Sequence, residues 1–89
     1  MASRILIVED DPAQRRILEE LVKRCGFESL AVESGMKGLQ AMTGATGNDL
    51  ALVILDIVMP EMDGLEFLER MQALRGDLPV IVQTAQGSI

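Results

Sequence analysis

Three carboxylates stand where two apolar segments of the chain end. Glu9 and Asp10 directly follow the apolar residues 5–8, and Asp56 directly follows the apolar residues 52–55. Two carboxylates about 4 Å apart repel by roughly 4 kcal/mol at an effective dielectric constant near 20, so such a cluster needs a cation or a chemical task to compensate it. The pattern therefore predicts an acidic pocket that is suited to a metal ion.

The elements that must position these acids alternate along the chain as strand and helix. Apolar runs that are rich in β-branched residues and too short for helices predict four strands, at residues 4–9, 29–32, 50–55 and 80–84. Helical spacing between them predicts three helices, with Asp11, Ser34 and Asp63 as N-terminal caps. Successive strand–helix units predict a parallel sheet with helices on both faces, and such sheets bind ligands at the carboxyl ends of their strands.

Each helix is predicted to bury one apolar side against this sheet. The predicted buried positions are Ile17, Leu18, Leu21, Val22 and Cys25 in the first helix, Met36, Leu39 and Met42 in the second, and Leu65, Leu68, Met71, Gln72 and Leu74 in the third. A mixed-charge face of the first helix is predicted to be solvated, with docking of a partner as the alternative; it comprises Arg15, Arg16, Glu19, Glu20, Lys23 and Arg24.

Composition favours one small globular domain that spans residues 1–89, with 48% hydrophobic and 25% charged residues. The formal net charge of −6 argues against binding of nucleic acid or of an anionic membrane surface, since both need a basic face. One cysteine and no histidine exclude an internal disulfide and a zinc site of paired Cys or His ligands. No apolar run is long enough for a signal peptide or a membrane span, so we expect a cytoplasmic protein.

Four short strings carry a family resemblance. They are Ile-Val-Glu-Asp-Asp at residues 7–11, Leu-Asp-Ile-Val-Met-Pro at 55–60, Met-Asp-Gly at 62–64 and Val-Gln-Thr-Ala at 82–85. In order, spacing and position at strand ends they resemble the receiver domain of bacterial two-component response regulators, and the resemblance covers residues 4–88. It implies an α/β fold of the flavodoxin-like type, a doubly wound parallel sheet with strand order 2-1-3-4-5.

The resemblance also implies a metal site. Asp10 and Asp56 would ligate Mg²⁺ (or Mn²⁺) directly, Glu9 would act through a bound water, and the backbone carbonyl of Val58 would supply another ligand. Mg²⁺ binds octahedrally through oxygen ligands and keeps several waters, which agrees with one or two carboxylates and a phosphoryl oxygen in its coordination shell.

The implied function is reception of a signal as a phosphoryl group. Asp56 would accept this group from the phosphohistidine of a histidine kinase or phosphotransfer protein, Thr84 would report it through its hydroxyl, and Ala85 would offer a backbone N–H. Such a receiver catalyses its own phosphorylation and dephosphorylation and is not otherwise an enzyme. Residues 82–87 resemble receivers of sigma-54-dependent activators, so the expected output is transcriptional.

The sequence departs from the family after residue 89. The family pattern continues to a fifth strand, which bears a phosphoryl-binding lysine, and to further helices, so we expect a C-terminally truncated receiver of about four strands and three helices. Without a fifth strand, Val80, Ile81 and Val82 would form an apolar sheet edge, which predicts self-association, and phosphotransfer would be weak or absent.

Three other functions are alternatives to the receiver. A dinucleotide-binding enzyme needs a glycine-rich turn after its first strand, whereas residues 9–12 read Glu-Asp-Asp-Pro and would repel phosphate without a metal. A haloacid-dehalogenase-like phosphatase needs an Asp-x-Asp motif at the same place, and the sequence lacks it. The third alternative stays open: a truncated receiver that acts only as an interaction or oligomerisation module.

Overall fold

Strands and helices alternate along the chain, and the strands form one parallel sheet. The computed structural model describes residues 3–44, 49–56 and 64–83. In these residues the elements are β1 (Arg4–Val8), α1 (Pro12–Arg24), β2 (Glu28–Val32), α2 (Gly35–Thr43), β3 (Leu50–Asp56), α3 (Gly64–Arg75) and β4 (Val80–Gln83). The strand order is β2-β1-β3-β4, and every neighbouring pair is parallel. The prediction of a doubly wound parallel sheet with four strands and three helices is confirmed.

Two apolar clusters lie on opposite faces of the sheet. On one face α1 packs against β1, through Leu18 and Val22 from the helix and Ile5 and Ile7 from the strand. On the other face α2 and α3 cover the central strands, with a core of Leu6, Val8, Leu39, Met42, Leu50, Val53, Leu55, Phe67, Met71 and Leu78. Because β1 and β3 are covered on both faces, their apolar runs are continuous and not alternating.

Capping residues begin and end the helices as the sequence predicts, wherever the structure describes them. The side chain of Asp11 accepts a hydrogen bond from the backbone N–H of Ala13 at 3.0 Å, and that of Ser34 accepts one from Lys37 at 3.2 Å. Gly26 follows α1 with φ of 90°, a conformation that glycine adopts without steric cost. Asp63, the predicted cap of α3, lies outside the described residues.

The predicted buried sides of the helices were partly wrong. The side chains predicted inside but found exposed are Ile17, Leu21, Cys25, Met36, Leu65, Gln72 and Leu74. Successive helical residues are about 100° apart around the axis, so a helix that lies on a sheet buries only a narrow line of positions. In α1 that line is Leu18 and Val22, four residues apart, and Ile17 and Leu21 are turned away from it.

The strand β4 lies at one edge of the sheet in the part of the chain that the structure describes. Its residues Ile81 and Val82 are 53% and 44% exposed. Self-association through this edge stays a prediction.

Among the described helices, none has the length and apolar character needed to span a bilayer.

Candidate functional site

The pairing of the two central strands brings the acidic residues together. Val8 of β1 is paired with Leu55 of β3. The residues that follow this pair, Glu9 and Asp56, therefore lie side by side at the carboxyl ends of the two strands. Carboxylate oxygens of Glu9, Asp10 and Asp56 all lie within 4.8 Å of one another. Glu9 and Asp56 are 1% and 2% exposed, and Asp10 is half-buried. The three acids singled out from the sequence therefore form one cluster.

The remaining predicted site residues cannot be compared with the structure. Val58, Thr84 and Ala85 lie outside the described residues. Gln83, the last described residue of β4, is paired with Asp56. The carboxyl end of β4 therefore lies at the same end of the sheet as the acidic cluster.

Glu9 is held in place through its backbone and its side chain. Its N–H donates to the carbonyl of Val32 at 3.1 Å, which joins the ends of β1 and β2. Its Oε2 accepts the backbone N–H of Asp11 at 3.1 Å, and its carbonyl accepts a hydrogen bond from Nη1 of Arg15 at 3.0 Å. The turn between β1 and α1 is thus fixed at three atoms of one residue.

Arg15 is the residue of this site that the sequence reasoning missed, since it was assigned to a solvated charged face. Its neighbour Arg16 carries the same charge on the same helix, so no signal in the sequence singles out Arg15.

Burial and neighbouring acids change the ionisation of the cluster. The pKa of Glu9 is raised from 4.5 to about 7, chiefly because burial disfavours the charged carboxylate. Hydrogen bonding and charge from Asp56 and hydrogen bonding from Asp10 contribute to this increase, and the backbone N–H of Asp11 opposes it. Glu9 therefore keeps its proton up to about neutral pH, and a bound cation could replace that proton.

The donor set fits a hard divalent cation. Three carboxylates supply only oxygen ligands, which Mg²⁺ and Mn²⁺ prefer, and among the described residues no sulfur or imidazole nitrogen belongs to the cluster. A divalent charge would also offset the repulsion from Asp56, which contributes to the raised pKa of Glu9.

The raised pKa of Glu9 predicts how the stability of the metal-free chain depends on pH. The folded state keeps its proton up to about pH 7, whereas the unfolded state loses it near pH 4.5. The free energy of unfolding should therefore fall as the pH rises from about 4.5 through 7, by on the order of 3 kcal/mol. Urea unfolding between pH 4.5 and 8, with a chelator present, measures this change.

The control for this experiment is Glu9→Gln, which cannot titrate at residue 9. Its unfolding free energy should lack the loss between pH 4.5 and 7 that the wild-type chain shows. Saturating Mg²⁺ should also remove the loss in the wild-type chain, because the ion stabilises the ionised carboxylates. Equal pH profiles for the wild-type chain and Glu9→Gln would contradict the prediction.

Comparison with known proteins places this chain in a family. The sequence model of the family described as "Response regulator receiver domain" matches residues 5–89. Response regulator MprA from Mycobacterium sp. (strain KMS) is 37% identical over 89 residues, which are 100% of this chain and 37% of MprA. The chain thus spans little more than a third of the length of that relative.

Solved structures agree in fold and sequence. Response regulator protein TrrA from Thermotoga maritima, in complex with Mg²⁺-BeF, superimposes with a TM-score of 0.82 and 35% identity, over 93% of this chain and 70% of TrrA. The complex of histidine kinase ThkA with TrrA matches with a TM-score of 0.83 and 35% identity, over 93% of this chain and 69% of the matched chain. The extent of these matches, together with the acidic cluster, shows that the chain belongs to the response regulator receiver domain family.

Proposed function

We propose that this chain is the phosphoacceptor of a two-component signalling pathway and that Asp56 is the residue phosphorylated. The observation that carries the proposal is the cluster of Glu9, Asp10 and Asp56, whose oxygens lie within 4.8 Å of one another at the end of the two central strands. Buried acids are costly at such a distance, so their convergence calls for a function that uses the charge.

The three acids have different proposed tasks. Asp10 and Asp56 bind Mg²⁺ (or Mn²⁺) directly, Glu9 binds it through a water, and the carbonyl of Val58 completes the protein ligands. When bound, the ion supplies positive charge to the oxygens of the transferred phosphoryl group. Glu9 is the residue best suited to the outer position, because its Oε2 already accepts the N–H of Asp11.

The chemical step is a transfer between a nitrogen and a carboxylate oxygen. The carboxylate of Asp56 attacks the phosphorus of a phosphohistidine, the P–N bond breaks, and the imidazole leaves with its electron pair. Asp56 is 2% exposed and fixed at the end of a central strand, so its oxygen is oriented before the donor arrives. In this proposal Thr84 binds the phosphoryl group through its hydroxyl, and Ala85 binds it through its N–H.

The partner is proposed from the relatives. TrrA forms a complex with the histidine kinase ThkA, and TrrA also binds Mg²⁺-BeF. By analogy, a histidine kinase or phosphotransfer protein is the proposed donor for this chain. A cytoplasmic location and a transcriptional output are the corresponding proposals for the pathway. The net charge of −6 supports the view that this domain itself does not bind nucleic acid.

Reaction with a small phosphodonor tests the proposal without a kinase. The chain is incubated with radiolabelled acetyl phosphate, once with Mg²⁺ and once with a chelator. We expect a weak label that depends on Mg²⁺, survives acid and is released by neutral hydroxylamine, as an aspartyl phosphate is. Absence of this label from the folded chain would overturn the proposal.

The second candidate function is an interaction module without phosphotransfer. The exposed side chains of Ile81 and Val82 on the edge strand β4 favour it, because an apolar edge can pair with another strand. Under this alternative the chain would associate at high micromolar concentration and take up no label, whereas the proposed receiver takes up label whether or not it associates.

A further inference from the structure

The side chain of Arg15 reaches back from α1 to the turn that carries the acidic cluster. Its Nη1 donates to the backbone carbonyl of Glu9, six residues earlier, at 3.0 Å, and the residue is half-buried. The neighbouring Arg16 is exposed. The two side chains have the same charge and length and stand on the same helix, and among the described residues it is Arg15 that bonds to the turn.

Arg15 stands near the N-terminus of α1, where a positive charge is unfavourable. The N-terminal turn contains no acidic side chain, while the N-cap Asp11 binds the N–H of Ala13. The hydrogen bond to Glu9 supplies an acceptor that a solvated arginine would not need. The hydrogen bond and charge of Lys37 lower the pKa of Glu33, and the charge of Arg15 also lowers it, but by less than these effects and less than the opposing effect of desolvation.

The atom that Arg15 contacts also matters. The N–H of Asp11 is bound to the carboxylate of Glu9, so that contact weakens if the carboxylate changes its orientation. Arg15 is bound to the backbone carbonyl of Glu9, which keeps its charge distribution in either orientation of the carboxylate. Arg15 can therefore hold the turn while the carboxylates change partners.

We propose that Arg15 is a positioning residue, which fixes the turn between β1 and α1 through the carbonyl of Glu9 and so keeps Glu9 and Asp10 in place for the cation. This inference rests on the proposed metal site, but it assigns a task that the acidic residues do not perform themselves. Residues that orient metal ligands from outside the coordination shell commonly affect metal affinity by one to two powers of ten.

The test uses Arg15→Met, which keeps the aliphatic stem and removes the donor and the charge. Arg16→Met is the matched control, with the same change one residue along the same helix. We expect Arg15→Met to bind Mg²⁺ about tenfold more weakly than the wild-type chain, and Arg16→Met to bind it nearly as well as the wild-type chain. Calorimetric titration of each folded variant with Mg²⁺ gives the affinities.

A second measurement needs no metal. Hydrogen exchange of the Asp11 amide in the metal-free chain should be about tenfold faster in Arg15→Met, because the carboxylate that accepts this amide is then less well held. The amide of Ile7, inside β1, serves as the reference for global unfolding, and its exchange rate should change much less.

Two results would overturn the inference. One is an Arg15→Met chain with wild-type Mg²⁺ affinity and wild-type exchange at Asp11. The other is an equal effect of Arg16→Met on both measurements, which would mean that Arg15 acts only through its positive charge. If the wild-type chain bound no Mg²⁺, the proposed function would fail separately, and the exchange rates of the metal-free chain would still decide whether Arg15 holds the turn.

Discussion

An Asp56→Asn variant is expected to take up no phosphoryl group from acetyl phosphate, and its metal-free form is expected to be more stable than the wild-type chain. The amide lacks the nucleophilic oxygen of the carboxylate, so no aspartyl phosphate can form. The same change removes one negative charge from a cluster whose oxygens lie within 4.8 Å of one another. At this distance a pair of charges repels by roughly 3 kcal/mol at an effective dielectric constant of 20.

Part of this repulsion is already relieved by the proton that the cluster holds, so we expect a gain of about 1 to 2 kcal/mol in the free energy of unfolding at neutral pH. The pKa of Glu9 should also fall toward its ordinary value, because hydrogen bonding and charge from Asp56 contribute to raising it. Urea unfolding with a chelator measures the first effect, and the pH dependence of unfolding measures the second.

Asp49→Asn is the matched control for this variant. Asp49 directly precedes β3, at the end of the strand opposite to Asp56, and it is exposed. Asp49→Asn changes the net charge by the same amount as Asp56→Asn but leaves the acidic cluster intact. The amount of phosphoryl label and the free energy of unfolding should therefore stay close to those of the wild-type chain. A hydroxylamine-sensitive label that persists in Asp56→Asn would show that another residue is the acceptor.

The acidic cluster could be predicted because its position follows from strand patterns alone. Residues 5–8 and 52–55 are continuous apolar runs, which indicate strands covered on both faces, and such strands lie at the centre of a parallel sheet. Since the strands are parallel, acids at their carboxyl ends share one edge. No knowledge of helix orientation is needed to bring Glu9 and Asp56 together.

The faces that the helices bury could not be predicted in the same way. In α3 apolar residues occur around much of the helix, so their spacing does not single out one side: Leu65 and Leu74 are exposed, and Phe67 and Met71 are fully buried. Phe67 was absent from the predicted core. Its burial depends on Gly38 of α2, which is close to it in space but 29 residues away in the chain. A pairing of this kind is decided by tertiary packing and not by local periodicity.

The hydrogen bond of Arg15 was missed for a related reason. Charge pattern along α1 gives a mixed-charge face, and local patterns treat Arg15 and Arg16 as equivalent. Only the angle at which the chain leaves β1 and enters α1 decides which of the two guanidinium groups reaches the carbonyl of Glu9.

Phe67→Ala is expected to destabilise the chain by about 3 to 5 kcal/mol, because truncation of a fully buried phenyl ring removes apolar contact and leaves a cavity. The ring lies among α2, α3 and the sheet, and a loss of this size is comparable to the whole stability of a small domain. Phe27→Ala is the matched control, since Phe27 is 44% exposed and the chain has only these two aromatic residues. Urea unfolding of both variants with Mg²⁺ present measures the difference, and equal losses would contradict the packing described for Phe67.

The close approach of Phe67 to Gly38 predicts that substitutions at these two positions are energetically coupled. A Cβ atom at Gly38 would lie 3.1 Å from Cε1 of Phe67 and 3.0 Å from Cγ2 of Val8, so Gly38→Ala alone should be strained, although alanine favours a helix over glycine by up to about 1 kcal/mol. In the Phe67→Ala background one of these two close approaches is gone. Gly38→Ala should then be more favourable than in the wild-type chain, by about 1 kcal/mol in a double-mutant cycle. Additive effects of the two substitutions would mean that the ring of Phe67 does not rest against Gly38.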